Sequence, residues 1–266
     1  MRKTYNIMTV AGSDNSGGAG LEADIKTISA LGCYATVAIS CIAVENTRRV
    51  LKVYPVTPEQ LDEQIALTVE DITVDAVKIG LLPTKELVAQ AAKTLQMFAL
   101  PNIVIDPVLV AACGDSLADG YIVEAYHKEL FPMASVITPN KYEAEQLFAR
   151  NTLSETLNRG AKSILLKGGH SDNENDVIDE LYLKGEANPI KYFAKRIKTN
   201  NLHGTGCTLS SAIAAFLAIY DGDIITAVEE AKEYITKAIE SGKDLKTGQG
   251  NGPVNHLFDP VPMLTH

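Results

Sequence analysis

Short β-branched runs alternate with longer stretches of helical periodicity along almost the whole chain, and few folds can absorb that alternation. The strand-like runs are Tyr5–Val10, Thr36–Ile42, Ala76–Ile79, Asn102–Ile105, Ser135–Ile137 and Ser163–Lys167. Between and after them, apolar residues at three- and four-residue spacing predict helices over about Ala19–Ala30, Pro58–Glu70, Thr84–Phe98, Tyr121–Leu130, Lys141–Ala149, Cys207–Ile219 and Ile224–Ser241. Repeated strand–helix–strand units give a mostly parallel sheet with helices on its faces. The alternation Val177-Ile178-Asp179-Glu180-Leu181-Tyr182-Leu183, followed by Lys191-Tyr192-Phe193, predicts an antiparallel hairpin at the sheet edge. Residues 1–266 read as one α/β domain, since no proline- or glycine-rich linker and no internal repeat divides them.

In such sheets ligands gather beyond the carboxyl ends of the strands. Ala11–Gly20, Glu45-Asn46-Thr47, Asp106-Pro107, Thr138-Pro139-Asn140 and Lys167-Gly168-Gly169-His170 each follow a strand-like run directly, so all are expected on one edge. His203-Gly204-Thr205-Gly206-Cys207-Thr208 opens a small-residue apolar helix. The glycines let backbone N–H groups converge, and the helix start adds its positive dipole end. That arrangement suits a phosphoryl group in transfer. Cys207 is read as the general base beside Gly204, Thr205 and Gly206, its pKa lowered by the helix N-terminus. The segment is therefore expected to be the catalytic corner of a small-molecule kinase.

Each further candidate has a plainer role beside its chemical one. The cluster Ala11–Gly20 is no P-loop, because no Gly-Lys-Ser/Thr follows it. Gly18-x-Gly20-x-x-Ala23, with Glu45 downstream, leaves an NAD(P)-dependent oxidoreductase as a rival, although the glycines stand several residues past Val10. Asp24, in the following helix, is either a dipole-favoured acid or a substrate acceptor. Asn140 and Glu143 have capping-box spacing, while Glu143 with Asp106 could hold Mg²⁺. Lys167 is a solvated strand end or a bridge to ATP phosphates.

The formal net charge of -9 lacks any basic cluster and argues against nucleic acid as partner. No apolar stretch is long enough to span a bilayer, and no signal peptide is visible. Cys33, Cys41, Cys113 and Cys207 show no CxxC spacing and read as reduced thiols in a cytoplasmic protein.

Taken together, AGSDNSGGAGLEADIKTISALG, AVKIGLL, IVIDPVLVA with CGD, ITPNKYEAE, LLKGGH and HGTGCTLSSAIAA resemble the bacterial hydroxymethylpyrimidine/phosphomethylpyrimidine kinases of the ribokinase superfamily, in order and over nearly the whole chain. The resemblance implies a three-layer αβα sandwich, usually a homodimer, using ATP and Mg²⁺ on a small-molecule substrate. It places Gly12, Asp24, Glu45 and Val108 in the pyrimidine pocket and Gly204–Cys207 at the anion hole. Lys167, Asn140 and Thr205 would meet ATP, and Glu143 with Asp106 would serve the metal. Glu45 stands where the family usually has glutamine, Leu81 where methionine and Leu202 where threonine are common; Cys113 replaces a small polar residue. Pyridoxal kinases are the nearest rival in substrate, and a nucleotide-binding regulator without turnover is a third alternative.

Overall fold

In the computed structural model, which describes residues 2–109, 120–148, 152–170 and 175–266, the chain builds one nine-stranded sheet. The strands are β1 (Asn6–Asp14), β2 (Tyr34–Asn46), β3 (Arg49–Pro55), β4 (Ala76–Ile79), β5 (Ile103–Ile105), β6 (Val136–Ile137), β7 (Ser163–Leu166), β8 (Asp176–Leu183) and β9 (Ile190–Lys195). Their order is β3-β2-β1-β4-β5-β6-β7-β8-β9. From β2 to β7 all pairs are parallel, and β8 and β9 add the expected antiparallel edge.

Alternate strand residues feed two cores, which makes the sandwich. Met8, Val77, Ile105, Ile137 and Ile164 face one layer. It contains α2 (Pro58–Asp71) and α3 (Lys85–Met97), with the shorter α4 (Gly120–Ala125), α5 (Lys141–Leu147) and α6 (Leu153–Asn158). Ile7, Ala76, Val104, Val136 and Leu165 face the other, formed by α1 (Gly20–Ala30), α7 (Thr205–Ile219) and α8 (Ile224–Gly242). Every residue of α7 from Thr208 to Ala218 is buried, as a helix packed between the sheet and other helices requires.

Three elements differ from the sequence reading. The opposite edge carries a second antiparallel strand, β3, which pairs with an extended β2. Glu45 and Asn46 therefore lie in β2 rather than in a loop. The helix expected over Tyr121–Leu130 loosens into a π-turn at Tyr126–Leu130 and a 3₁₀ turn at Phe131–Met133, where Pro132 cannot donate to a continuing helix. α6 is an extra short helix, fixed by a Thr152/Glu155 capping box. Cys113 lies outside the described residues.

Beneath the carboxyl edge of the sheet, α1 is fastened by a buried ion pair. Lys78 Nζ of β4 lies 2.8 and 2.9 Å from the Asp24 oxygens, which also accept from Thr9 Oγ1 at 2.6 Å and Ser211 Oγ at 2.7 Å. Burial alone would strip Lys78 of its proton, but the Asp24 carboxylate holds its pKa above the ordinary lysine value. Lys78→Met, which strands that carboxylate, is expected to cost ~3–5 kcal/mol in a urea titration, with much of the loss restored in Lys78→Met/Asp24→Leu. A single variant as stable as the parent would show that the pair is not ionised.

Candidate active site

The first polar loop and the turn before α7 are packed backbone against backbone. Gly204 caps α7 with φ +79°, and a Cβ there would lie 1.9 Å from the Gly18 carbonyl oxygen. A Cβ on Gly18 would lie 2.3 Å from the His203 ring. Only glycine permits both approaches. Asp14 ties the junction: it accepts from the Ser16, Gly18 and Ala19 amides and from His203 Nε2 at 2.9 Å. Burial would raise its pKa, yet His203, Ser16 and the amides hold it well below the usual carboxylate range. The same hydrogen bond raises the pKa of His203.

Those contacts also dispose of the dinucleotide reading. The Gly18 and Ala19 amides, just before α1, are taken by Asp14, and the Gly20 amide by the Cys207 sulfur, so the glycine segment lacks the donors that a pyrophosphate would need from it. Asp14, Glu45 and His203 bring ligand-type atoms within 4.8 Å of one another. With the Asp14 oxygens already accepting four donors, the group is an acid–base cluster rather than a metal centre.

At α7 the open amides belong to Gly206 and Cys207, which have no hydrogen-bond acceptor among the described residues. The Thr205 amide and hydroxyl both donate to the Leu202 carbonyl, at 3.3 and 3.0 Å, so Thr205 is less available to a ligand than expected. A Cβ on Gly206 would stand 3.3 Å from both Asp106 Oδ2 and Lys167 Nζ, which puts the anion corner directly over that ion pair. Lys167 Nζ is 2.7 Å from Asp106 Oδ1 and 3.9 Å from Glu143 Oε2. Burial favours the neutral amine, but the two carboxylates raise its pKa. Glu143 has the capping role expected of it, its carboxylate accepting from the Asn140 amide at 2.7 Å, and it is buried beside Lys167, where desolvation pushes it up to about 7.

These groups line one cavity of about 840 Å³. Toward the β2–β3 edge lie Gly12, Glu45, Val50, Val53 and Leu81, and toward the β8–β9 edge Val177, Ala194 and Ile197, with Ile235 and Ile239 of α8; Val108, after central β5, also lines it. Asp106, Lys167, Gly206 and Cys207 lie on its wall with Asn140 and Thr205.

The phosphomethylpyrimidine kinase family profile matches residues 14–255. The chain belongs to that family. It is 38% identical to the hydroxymethylpyrimidine/phosphomethylpyrimidine kinase of Escherichia coli over 96% of this chain and 98% of that one. It is 40% identical to the enzyme of the same name from Rhizobium meliloti. A probable bifunctional thiamine biosynthetic enzyme from rice is also 38% identical, but the chain spans only 48% of its length. Among solved structures, the Bacillus subtilis pyridoxal kinase–ADP complex superposes with TM-score 0.85 at 34% identity, covering 96% of this chain and 98% of that one. A phosphomethylpyrimidine kinase from Clostridium difficile gives 0.75 at 36%, covering 88% and 99%. The chain is thus a phosphotransferase with a ribokinase-like fold. No helix of the described residues is long and apolar enough to cross a membrane.

Within this family frame the structure corrects two sequence expectations. Asp24 does not face the cavity: it is fully buried, and Lys78, Thr9 and Ser211 occupy its oxygens. Cys207, half-buried on the cavity wall, has its thiol pKa raised where the helix start was expected to lower it. Burial pushes its thiol up to about 11, and Asp24 and Asp106 add to that, while Lys78 and the Gly20 amide pull the other way.

Sequence reasoning gave no role to three contributors. The Asp14–His203 pair sat inside motifs already singled out. Asp179 accepts from the Gly168 amide at 2.7 Å and from Lys232 at 2.6 Å, bracing the corner after Lys167 against α8. A strap after α8 reaches back to the β2–β3 turn: the Asn251 amide donates to the Thr47 carbonyl at 2.8 Å and Gly250 to Thr47 Oγ1 at 3.0 Å.

The raised thiol predicts slow chemistry. At pH 7.5 Cys207 should react with iodoacetamide roughly a hundredfold more slowly than an unperturbed thiol of pKa about 8.5, with the rate still climbing above pH 9. Peptide mass mapping reads this out, and a rate that levels off by pH 8 would contradict it.

Proposed function

We propose that this chain transfers the terminal phosphoryl group of ATP to the hydroxyl of 4-amino-5-hydroxymethyl-2-methylpyrimidine and then phosphorylates the monophosphate again. One observation carries the reading most. The unpaired Gly206 and Cys207 amides, Lys167 and Asp106 meet midway along a single cavity with two differently lined ends. In-line transfer needs an acceptor on one side of the migrating group and a nucleotide on the other, and that cavity has room for both.

The Glu45 end takes the pyrimidine, with Gly12 and Val108 against its ring. Gly12 follows a register shift in β1, and a Cβ there would fall 2.6 Å from Cys41 Sγ, so the strand leaves no room for a side chain. The apolar end formed by Val177, Ala194, Ile197, Ile235 and Ile239 takes the adenosine. Lys167 meets phosphate oxygens, and the Gly206 and Cys207 amides take charge that builds on the migrating group. Cys207 has to give up its own proton before it can accept the substrate's, and the Lys78 ammonium is the group that favours that thiolate.

Asp106 and Glu143 fit a hard cation. Asp106 Oδ2 has only a 3.5 Å contact from Ser210, and Glu143 Oε1 has no partner among the described residues. They would hold Mg²⁺, in part through water, and the ion would neutralise phosphate charge. The same reading carries the cytoplasmic homodimer. Ile42 and Tyr54, opposed on the β2–β3 hairpin and about half exposed, support a second copy; sedimentation equilibrium tests it.

Coupled ADP release with the pyrimidine, its monophosphate and pyridoxal tests the activity. Turnover is expected with the first two, and pyridoxal as the sole substrate would overturn the assignment. Cys207→Ala should lower kcat by roughly a hundredfold or more with ATP binding retained, as loss of a proton acceptor predicts. Unchanged turnover would remove the sulfur from the reaction.

A further inference from the structure

Glu45 is placed with unusual care for a residue on an edge hairpin. The β2–β3 pairing shifts register between Val44 and Glu45, a bulge of the kind that re-aims a side chain. The Glu45 amide donates to Asn15 Oδ1 at 2.8 Å, which binds this end of β2 to the first polar loop. Its carboxyl lines the cavity and has no hydrogen-bond partner among the described residues.

The charged and titratable groups around it come from four elements. Asp14 of β1 and Glu22 of α1 oppose its negative charge; His203, before α7, favours it; and the Cys41 thiol lies farther back along β2. His203 Nε2 is already committed to Asp14 at 2.9 Å, and Asp14 is itself saturated with donors. So no neighbour supplies the Glu45 carboxylate with a proton or a strong donor. Burial, then Asp14, pushes its pKa up to about 7, with His203 opposing and Glu22 adding to the rise.

A neutral carboxyl presents one donor and one acceptor side by side. Its complement is an amidine edge, an exocyclic amino group next to a ring nitrogen with a free lone pair. An ionised carboxylate offers two acceptors and would face that lone pair without a hydrogen between them.

We propose that Glu45 receives substrate as a carboxyl–amidine pair holding one shared proton, so that substrate capture above neutral pH takes a proton from solvent. The inference rests on the aminopyrimidine reading given above. The balance is simple: carboxylate, neutral substrate and one proton give the neutral pair. The proton sits on oxygen or on ring nitrogen, and no other bond changes. Glu45 is then a specificity-determining residue, because a ring lacking the amidine edge gains nothing from the bound proton. The sign follows from the raised carboxyl: the acid form is present below about pH 7 and is lost above it.

Calorimetric titration of the intact protein with 4-amino-5-hydroxymethyl-2-methylpyrimidine, in buffers of differing ionisation enthalpy, measures the protons exchanged. At pH 8.5 the parent should take up close to one proton per ligand and at pH 6 close to none, with Kd rising roughly tenfold per pH unit above about 8. Glu45→Gln, whose amide offers the same donor and acceptor permanently, should bind without proton uptake and with a flat pH profile. Tight binding by the parent at pH 8.5 without uptake would overturn the proposal, as would uptake that persists in Glu45→Gln. Failure of both proteins to bind the pyrimidine at any pH, with pyridoxal bound instead, would overturn the aminopyrimidine reading itself.

Discussion

The approach of the Gly18 carbonyl to Gly204 is the contact on which the site depends. It brings β1 and its following loop against the start of α7, two segments almost two hundred residues apart, at a separation that admits no side chain. The Asp14–His203 hydrogen bond closes the same junction. Once it is made, the open amides at Gly206 and Cys207 have a fixed direction over the Asp106–Lys167 pair. The glycines of the first loop therefore serve packing, and in the second Gly204 serves packing while Gly206 leaves its amide open.

Charge under the site is arranged in neutralised pairs: Asp24 with Lys78, Asp106 with Lys167, Asp179 with Lys232. Two join a strand to a helix, and the Asp106–Lys167 pair spans the ends of β5 and β7 across β6; all are largely withdrawn from water. Coupling of this kind is rigid, since separating either partner strands a desolvated charge. It also keeps an acidic chain from repelling a polyanionic substrate, because the acids nearest the anion corner already have a cation among them. Glu45 is the exception, an acid facing the cavity with other acids as neighbours.

The fold was largely legible in the sequence, because buried parallel strands such as Ala76–Ile79 are apolar on both faces and their helices keep a clear period. β3 was not read, since its residues face mostly solvent and give no core signal. The site was legible where a motif carries its own geometry: the glycine turn, the Asn140–Glu143 cap, Lys167 after its strand. Asp24 and Cys207 show the limit. Their positions followed from sequence, but Asp24's burial depends on Lys78, Thr9 and Ser211, and the thiol's proton affinity on local desolvation and on the charges of Lys78, Asp24 and Asp106. Those are sums over distant residues, and no local pattern contains them.

The strap from α8 to Thr47 sets the order in which this molecule can be completed. Its hydrogen bonds close loops of roughly two hundred residues, as do the contacts of His203 with Asp14 and of Ser211 with Asp24. Such closures lose the most chain entropy and come late. During synthesis the central strands can pair and bury their faces well before residue 250 is made, yet the cavity has neither its anion corner nor its clasp. A half-made chain is thus an assembled scaffold without a reaction site, and nucleotide protection against proteolysis should arise only with its final segment.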